Sequence, residues 1–418
     1  MESYRFLLDL AIILLCTKLL GLTTKRVQMP QVVGALLAGL ILGPSMLGIL
    51  SKTEFITSIA ELGVIVLMFS AGLETDIKEL KKTGKASFII ALLGVVFPII
   101  GGFLVSYFFN KPGMIESDAG CSIFLQNVFV GVILTATSVS ITVETLKEMG
   151  KLKTRSGNAI LGAAIIDDIL GIVALTIVTS LADPTVNVAV VLLKIVAFFA
   201  FSLIVGYIFY KVYKKWTASA ERGLHRHVII AFVFCLLMAY CAEQFFGVAD
   251  ITGAYIAGLI ISNTERSAFV QSKFDTLSYL LLSPVFFASI GLQVQIPHMT
   301  PMIIAFTLIL VIVAVITKII GCGLGAKLCG YMPYQYRRIG VGMISRGEVA
   351  LIVASKGAAL GMLGSAFMGP VVIVVVITTI ITPILLKIVF KKGPEHYVTK
   401  EESVSDYHEQ VQDMRKDV

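Results

Sequence analysis

With 418 residues that are 57% apolar and only 15% charged, and a mean hydropathy of +0.90, the chain has far less charge than the roughly 25% of an ordinary soluble domain. This composition excludes a water-dissolved enzyme or regulator and reads as an all-α polytopic membrane protein. The net charge of +7 does not call for nucleic acid, because the basic residues follow a pattern that a bilayer explains.

In chain order, apolar stretches near the length that crosses a hydrocarbon core fall at 4–22, 28–48, 55–75, 87–109, 122–146, 158–182, 187–213, 223–242, 248–266, 274–296, 302–328, 335–361 and 365–391. The prediction is thirteen transmembrane helices. Odd-numbered connections hold twenty Lys and Arg, whereas even-numbered ones hold only Lys52 and Lys111. Lys and Arg gather on the cytoplasmic side, so the N-terminus is placed outside and the C-terminus in the cytoplasm of a plasma-membrane protein. The first span keeps Glu2, Arg5, Asp9 and Lys18 and lacks a small-residue cleavage site, which predicts a retained helix rather than a removed signal peptide. Six cysteines lie mostly in apolar spans, where Cys behaves as a small hydrophobe.

Val33-Gly34-Ala35-Leu36-Leu37-Ala38-Gly39-Leu40-Ile41 is echoed by Thr252-Gly253-Ala254-Tyr255-Ile256-Ala257-Gly258-Leu259-Ile260, 219 residues later. The same shift carries Ser70, Gly72 and Leu73 onto Ser289, Gly291 and Leu292. It moves spans 2 and 3 onto spans 9 and 10, and an odd number of crossings reverses orientation. The halves are therefore read as inverted six-helix repeats, 4–182 and 223–391, joined by a linker helix at 187–213. Transporters of this build place the ion site at the midplane, where helices are interrupted.

The residues that carry chemistry stand out against this background. Glu61 in span 3 either lines a cavity or caps against a neighbouring helix. Span 5 holds Thr135-Ala136-Thr137-Ser138-Val139-Ser140-Ile141-Thr142, a weak helix former. Its hydroxyls and freed carbonyls either offer oxygen ligands or bond back within an intact helix. Asp167 and Asp168 sit side by side in span 6. One ionised carboxylate at a membrane-helix midpoint costs about 2.5–3.5 kcal/mol, so two together point to cation binding or proton transfer, with a structural pair as the alternative. Lys318 in span 11 lies deep and needs an anionic partner. If it pairs with one Asp, the other is left to exchange protons, and a sodium ion competes with protons and with the Lys. In span 12, Ser345-Arg346-Gly347-Glu348 sets a cation, a helix breaker and an anion in mid-membrane. Those charges neutralise helix ends, or each other. No Gly-rich phosphate loop or Cys/His zinc spacing occurs, so neither a cofactor nor enzyme chemistry is expected.

With Leu67-Met68-Phe69-Ser70-Ala71-Gly72-Leu73-Glu74, Ala136-Thr137-Ser138-Val139, Asp167-Asp168, Ser283-Pro284-Val285-Phe286-Phe287-Ala288-Ser289-Ile290-Gly291 and Ser345-Arg346-Gly347-Glu348 in this order, the sequence resembles the monovalent cation/proton antiporters. The branch is the one with NapA-type and GerN-type sodium/proton exchangers and Kef-type potassium efflux proteins, and the likeness covers about 5–391. It implies an antiporter fold with spans 5 and 12 broken and crossing, a dimerisation region giving a homodimer, and elevator-like movement of a six-helix core. It implies Asp168 as principal cation ligand, Asp167 as partner of Lys318, oxygens from Thr137 and Ser138, and support from Ser345, Arg346 and Glu348. Kef-type proteins typically carry Gln where Asp167 stands, so Na⁺ exported against H⁺ is the expected traffic, electrogenically, with K⁺/H⁺ or mixed exchange as the alternative. The membrane domain is placed at 1–392, and 393–418 is a short charged cytoplasmic tail.

Overall fold

The computed structural model describes residues 4–26, 29–75, 77–111, 113–115, 117–182, 187–218, 224–264, 266–293 and 300–391; the tail at 393–418 lies outside them. Every regular element among these residues is helical. In order they are α1 (Arg5–Arg26), α2 (Gln31–Leu42), α3 (Glu54–Glu74), α4 (Ile77–Phe109), α5 (Ile123–Ile133), α6 (Val139–Glu148), α7 (Arg155–Ala182), α8 (Val188–Ala218), α9 (Leu224–Cys241), α10 (Asp250–Ile261), α11 (Ser267–Leu277), α12 (Ser283–Leu292), α13 (Pro301–Leu328), α14 (Pro333–Gly342), α15 (Glu348–Ala359) and α16 (Ser365–Phe390). Wide turns at Ala242–Phe246 and Ser278–Leu282 extend α9 and join α11 to α12. Each predicted span coincides with one helix or with two consecutive ones, α5 and α6, α11 and α12, or α14 and α15, and among the described residues nine helices are long and apolar enough to cross a membrane.

Two boundaries differ from the sequence reading. The second span stops as helix at Leu42, because Gly43-Pro44 follows and proline disfavours helical backbone in the residue before it. The fourth begins ten residues early, at Ile77, so the basic stretch through Lys85 is helix rather than loop. Helix starts are set locally: the Thr53, Ser122 and Thr300 hydroxyls accept from the backbone N–H of Ile56, Leu125 and Ile303. Leu193, Val196, Leu203, Ile204 and Ile208 stand exposed on α8, as a lipid solvent requires and water would penalise.

Packing gathers the helices into two groups. In one, α4 lies against α13, α7 and α5, and α13 against α14 and α16. In the other, α2 packs on α1 and α12, and α3 packs on α10 and α12. Backbones of the second group meet at glycines. A Cβ added at Gly39 would land on the Ala288 carbonyl, and one at Gly291 on the Leu40 amide. At Gly258 it would land on the Phe69 carbonyl, and at Gly72 on that of Tyr255. The 219-residue shift exchanges these two seams, carrying Gly39 to Gly258 and Gly72 to Gly291.

Gly258→Val is therefore expected to destabilise the protein by about 3 kcal/mol or more, since its branches would drive the α3 backbone away. Gly84→Ala, where an added methyl meets nothing within 4 Å, serves as control. Thermal melting of the two variants checks this, and an unshifted Gly258→Val transition contradicts the close approach.

Candidate functional site

The fifth span is interrupted. Helix α5 ends at Ile133 and α6 begins at Val139, leaving the hydroxyl-rich residues between them without helical structure. The twelfth is interrupted likewise between Gly342 and Glu348. The two breaks face and bond each other: the Ser138 N–H donates to the Ser345 carbonyl at 2.8 Å, and the Ser345 hydroxyl donates to the Ser138 carbonyl at 2.9 Å. The Thr142 hydroxyl donates to the Gly342 carbonyl at 2.8 Å. At Gly347 an added Cβ would come 2.6 Å from Ser138 Oγ, so only glycine lets the chains approach this closely. Carbonyls freed by one break are thus partly satisfied by the other, as irregular backbone at membrane depth requires.

Beside this crossing runs α7. Residues 156–164 of that helix are all buried, whereas each residue from Asp168 to Leu175 is half-buried, so the carboxylate pair sits where the surroundings open. Asp167 is 2% exposed and Lys318 on α13 is 0% exposed. The Lys318 ammonium donates to both Asp167 oxygens, at 2.8 and 2.9 Å, and the Thr137 hydroxyl donates to Oδ2 at 2.7 Å. Such charge-assisted bonds are what keep a buried pair from being a net liability. Asp168 is half-buried, and none of the described residues makes a hydrogen bond or salt bridge with its carboxylate. Gly94 on α4 faces the pair and leaves room for the Cys322 thiol: a Cβ there would lie 2.6 Å from Cys322 Sγ, and in ordinary contact with Asp167 Oδ1 at 3.5 Å and Lys318 Nζ at 3.7 Å.

Arg346 is fully buried and turns back on the helix end before it. Its guanidinium donates to the carbonyls of Ile344 at 2.7 Å, Ala314 at 3.2 Å and Met343 at 3.4 Å. A cation among the last carbonyls of α14 offsets that helix's negative end. Thr378 accepts from the Arg346 N–H at 3.2 Å and Thr379 donates to its carbonyl at 2.5 Å. The side chain of Glu348 lies outside the described residues. Glu61 stands exposed on α3, with no recorded bond to the crossing.

The structure thus brings Thr137, Ser138, Asp167, Lys318 and Ser345 together around the crossing, with Asp168 next to Asp167. Sequence reasoning missed Thr378 and Thr379, although with Thr382 they put three hydroxyls into the apolar run of α16, a visible signal. It also missed the far end of α6. There Lys147 pairs with Asp275 at 2.5 Å and Glu74 at 3.4 Å, and the Glu148 carboxylate accepts from the Gln31 N–H at 2.6 and 2.8 Å. These bonds tie α6 to the other helix group.

Two interrupted helices crossing beside a buried acid pair, within a bundle of membrane-spanning helices, define a polytopic membrane protein of the antiporter fold. The family model described as "Sodium/hydrogen exchanger, transmembrane" matches residues 11–392. The chain belongs to that family. It is 40% identical to the Na(+)/H(+)-K(+) antiporter GerN of Bacillus cereus over 93% of this chain and 97% of that one. It is 36% identical to an Na(+)/H(+) antiporter of Enterococcus hirae, over 92% and 97%. The solved structure of the sodium proton antiporter MjNhaP1 from Methanocaldococcus jannaschii shares the fold, with a TM-score of 0.66 at 17% identity over 94% of this chain and 99% of that one.

Proposed function

We propose that the protein exports Na⁺ in exchange for H⁺, electrogenically, by an elevator-type movement of the helix group that carries the crossing. The observation that carries this reading is the unequal state of two adjacent carboxylates: Asp167 is held by Lys318 and Thr137, while Asp168 is half-open and unbonded. A carboxylate at membrane depth is costly until a cation or proton reaches it, and unwound backbone beside it supplies the oxygens that Na⁺ prefers.

Counting charge gives the coupling. Two carboxylates and one ammonium leave a single negative charge, which one Na⁺ or one H⁺ neutralises equally, so the two loads exclude each other. While Lys318 keeps its proton the exchange is one for one and moves no charge. If Na⁺ draws in both Asp167 and Asp168, Lys318 loses its partner and releases its proton, and two protons return for each Na⁺. This second scheme is the one we adopt.

The transport unit is taken as residues 1–392, with inverted repeats 4–182 and 223–391 about the helix at 187–213. It works as a homodimer in the plasma membrane with its N-terminus outside. The elevator reading is supported by the two packing groups, between which Lys147 and Glu148 at the end of α6 make bonds. A second substrate, K⁺, is favoured by one observation, the Na(+)/H(+)-K(+) activity in the name of the 40% identical relative.

Proteoliposomes loaded with a pH-sensitive dye test the proposal. Na⁺ added outside is expected to drive proton movement at lower concentrations than K⁺. Equal titrations would make this a mixed exchanger, and no response to either ion would end the antiporter reading.

A further inference from the structure

Away from the crossing, a cavity of about 640 Å³ lies between α4 and α7 on one side and α8 and α10 on the other. That size falls within the range of small-molecule sites. Ile166, Phe199, Leu203, Leu259 and Ile260 give it an apolar wall. Three hydroxyls of the lining residues have no hydrogen-bond partner: those of Ser87 and Tyr255, each 1% exposed, and Ser202, 4% exposed. A helical serine usually returns its hydroxyl to a carbonyl three or four residues back, as nearby Ser262 does to Leu259. Ser87 and Ser202 do not, although leaving a buried donor unmade is costly.

The remaining lining is graded along α8. Phe199, Ser202, Gly206, Tyr207 and Tyr210 follow one another at helical spacing on the face that borders the cavity. Beyond them the exposed ammonium groups of Lys211 and Lys214 lie 4.6 and 5.7 Å from the ring centres of Tyr207 and Tyr210. On α4, Gly84 lies one turn towards the same basic end from Ser87, next to exposed Lys85. Going outwards, the order is therefore hydrocarbon, buried hydroxyl, aromatic ring, cation.

We propose that this cavity binds an anionic glycerophospholipid: an acyl chain along the apolar wall, ester oxygens accepting from Ser87 and Ser202, and the phosphate between Lys211 and Lys214. A hydrocarbon or neutral oil would leave the hydroxyls or the cations unused. A water-soluble anion would leave the oily wall unfilled. Tyrosine and lysine together are the anchors of a headgroup layer, and basic pockets between membrane helices recognise anionic lipid. The occupant would touch α4 and α7 as well as α8 and α10, and so tune how the two helix groups move against each other. Neither Asp167 nor Asp168 lines the cavity, although Ile165 and Ile166 border it just before them on α7, and binding there does not depend on which ion is carried.

The test uses the full chain, purified in neutral detergent and supplied with phosphatidylglycerol or phosphatidylcholine. It reads thermal melting and the lipid retained in native mass spectrometry. Phosphatidylglycerol is expected to raise the melting temperature and stay bound, phosphatidylcholine much less so. In the Ser87→Ala, Ser202→Ala double variant, phosphatidylglycerol should bind about tenfold more weakly, while the lipid-free protein melts no lower than wild type because two orphan donors are gone. The Lys211→Ala, Lys214→Ala variant should lose the preference between the lipids. Gly84→Leu, at a position where an added Cβ meets nothing within 4 Å, should fill the cavity and exclude the chain from a folded protein. Equal retention of both lipids by the wild type, or undiminished phosphatidylglycerol in both the serine and the Gly84 variants, would overturn the proposal.

Discussion

Asp168→Ala is expected to abolish Na⁺-driven proton movement in proteoliposomes while the purified protein melts at or above the wild-type temperature. The two halves of this expectation come from one fact: the Asp168 carboxylate is half-buried and no described residue bonds to it. Removing it breaks no recorded hydrogen bond and takes an uncompensated charge out of the membrane, so the fold loses nothing. The transport cycle loses a carboxylate beside the crossing that, among the described residues, is engaged by no bond. Asp167→Ala behaves differently, because it strips Lys318 of its counter-charge and should lower the melting temperature as well. A full transport response from Asp168→Ala would remove that residue from the site.

Lys318→Gln carries the second large effect. Lys318 and Asp167 are 0% and 2% exposed, and removing one partner of a pair buried that deeply typically costs about 3–5 kcal/mol. The melting temperature should fall steeply and recover in part when Asp167→Asn is added, since the double variant leaves neither charge stranded. For transport, exchange that persists should become one for one and cease to respond to membrane potential. A response unchanged under a potassium-diffusion potential would take Lys318 out of the coupling, even if the stability loss appeared as expected.

Much of this arrangement was legible from the sequence because a membrane background is so apolar that polar residues stand out. Asp167-Asp168, Lys318 and Ser345-Arg346-Gly347-Glu348 are visible for that reason, as are the glycines repeated at a fixed interval. The break in span 5 was legible as a run of Ser and Thr, whose side chains compete for backbone bonds. Other features depend on tertiary geometry that no local pattern encodes. Arg346 was readable as a charge near a helix end, but its bond to the Ala314 carbonyl joins segments 32 residues apart. Gly94 matters only through what lies opposite it. Lys147 counted as one more basic loop residue, yet it closes an ionic contact with Asp275, 128 residues away. Glu61 drew notice as a charge in an apolar window, and α3 presents it exposed and away from the bonds of the crossing.

The glycine seams carry a mechanical consequence. Where α3 meets α10 through Gly72 and Gly258, and α2 meets α12 through Gly39 and Gly291, main chain rests on main chain with no layer of side chains to shear. Slipping α3 by one residue would bring Leu73 or Ala71 to the position of Gly72, so the contact works like a tooth in a notch. Under the proposed elevator-type movement, these four helices are the stator past which the other group would slide.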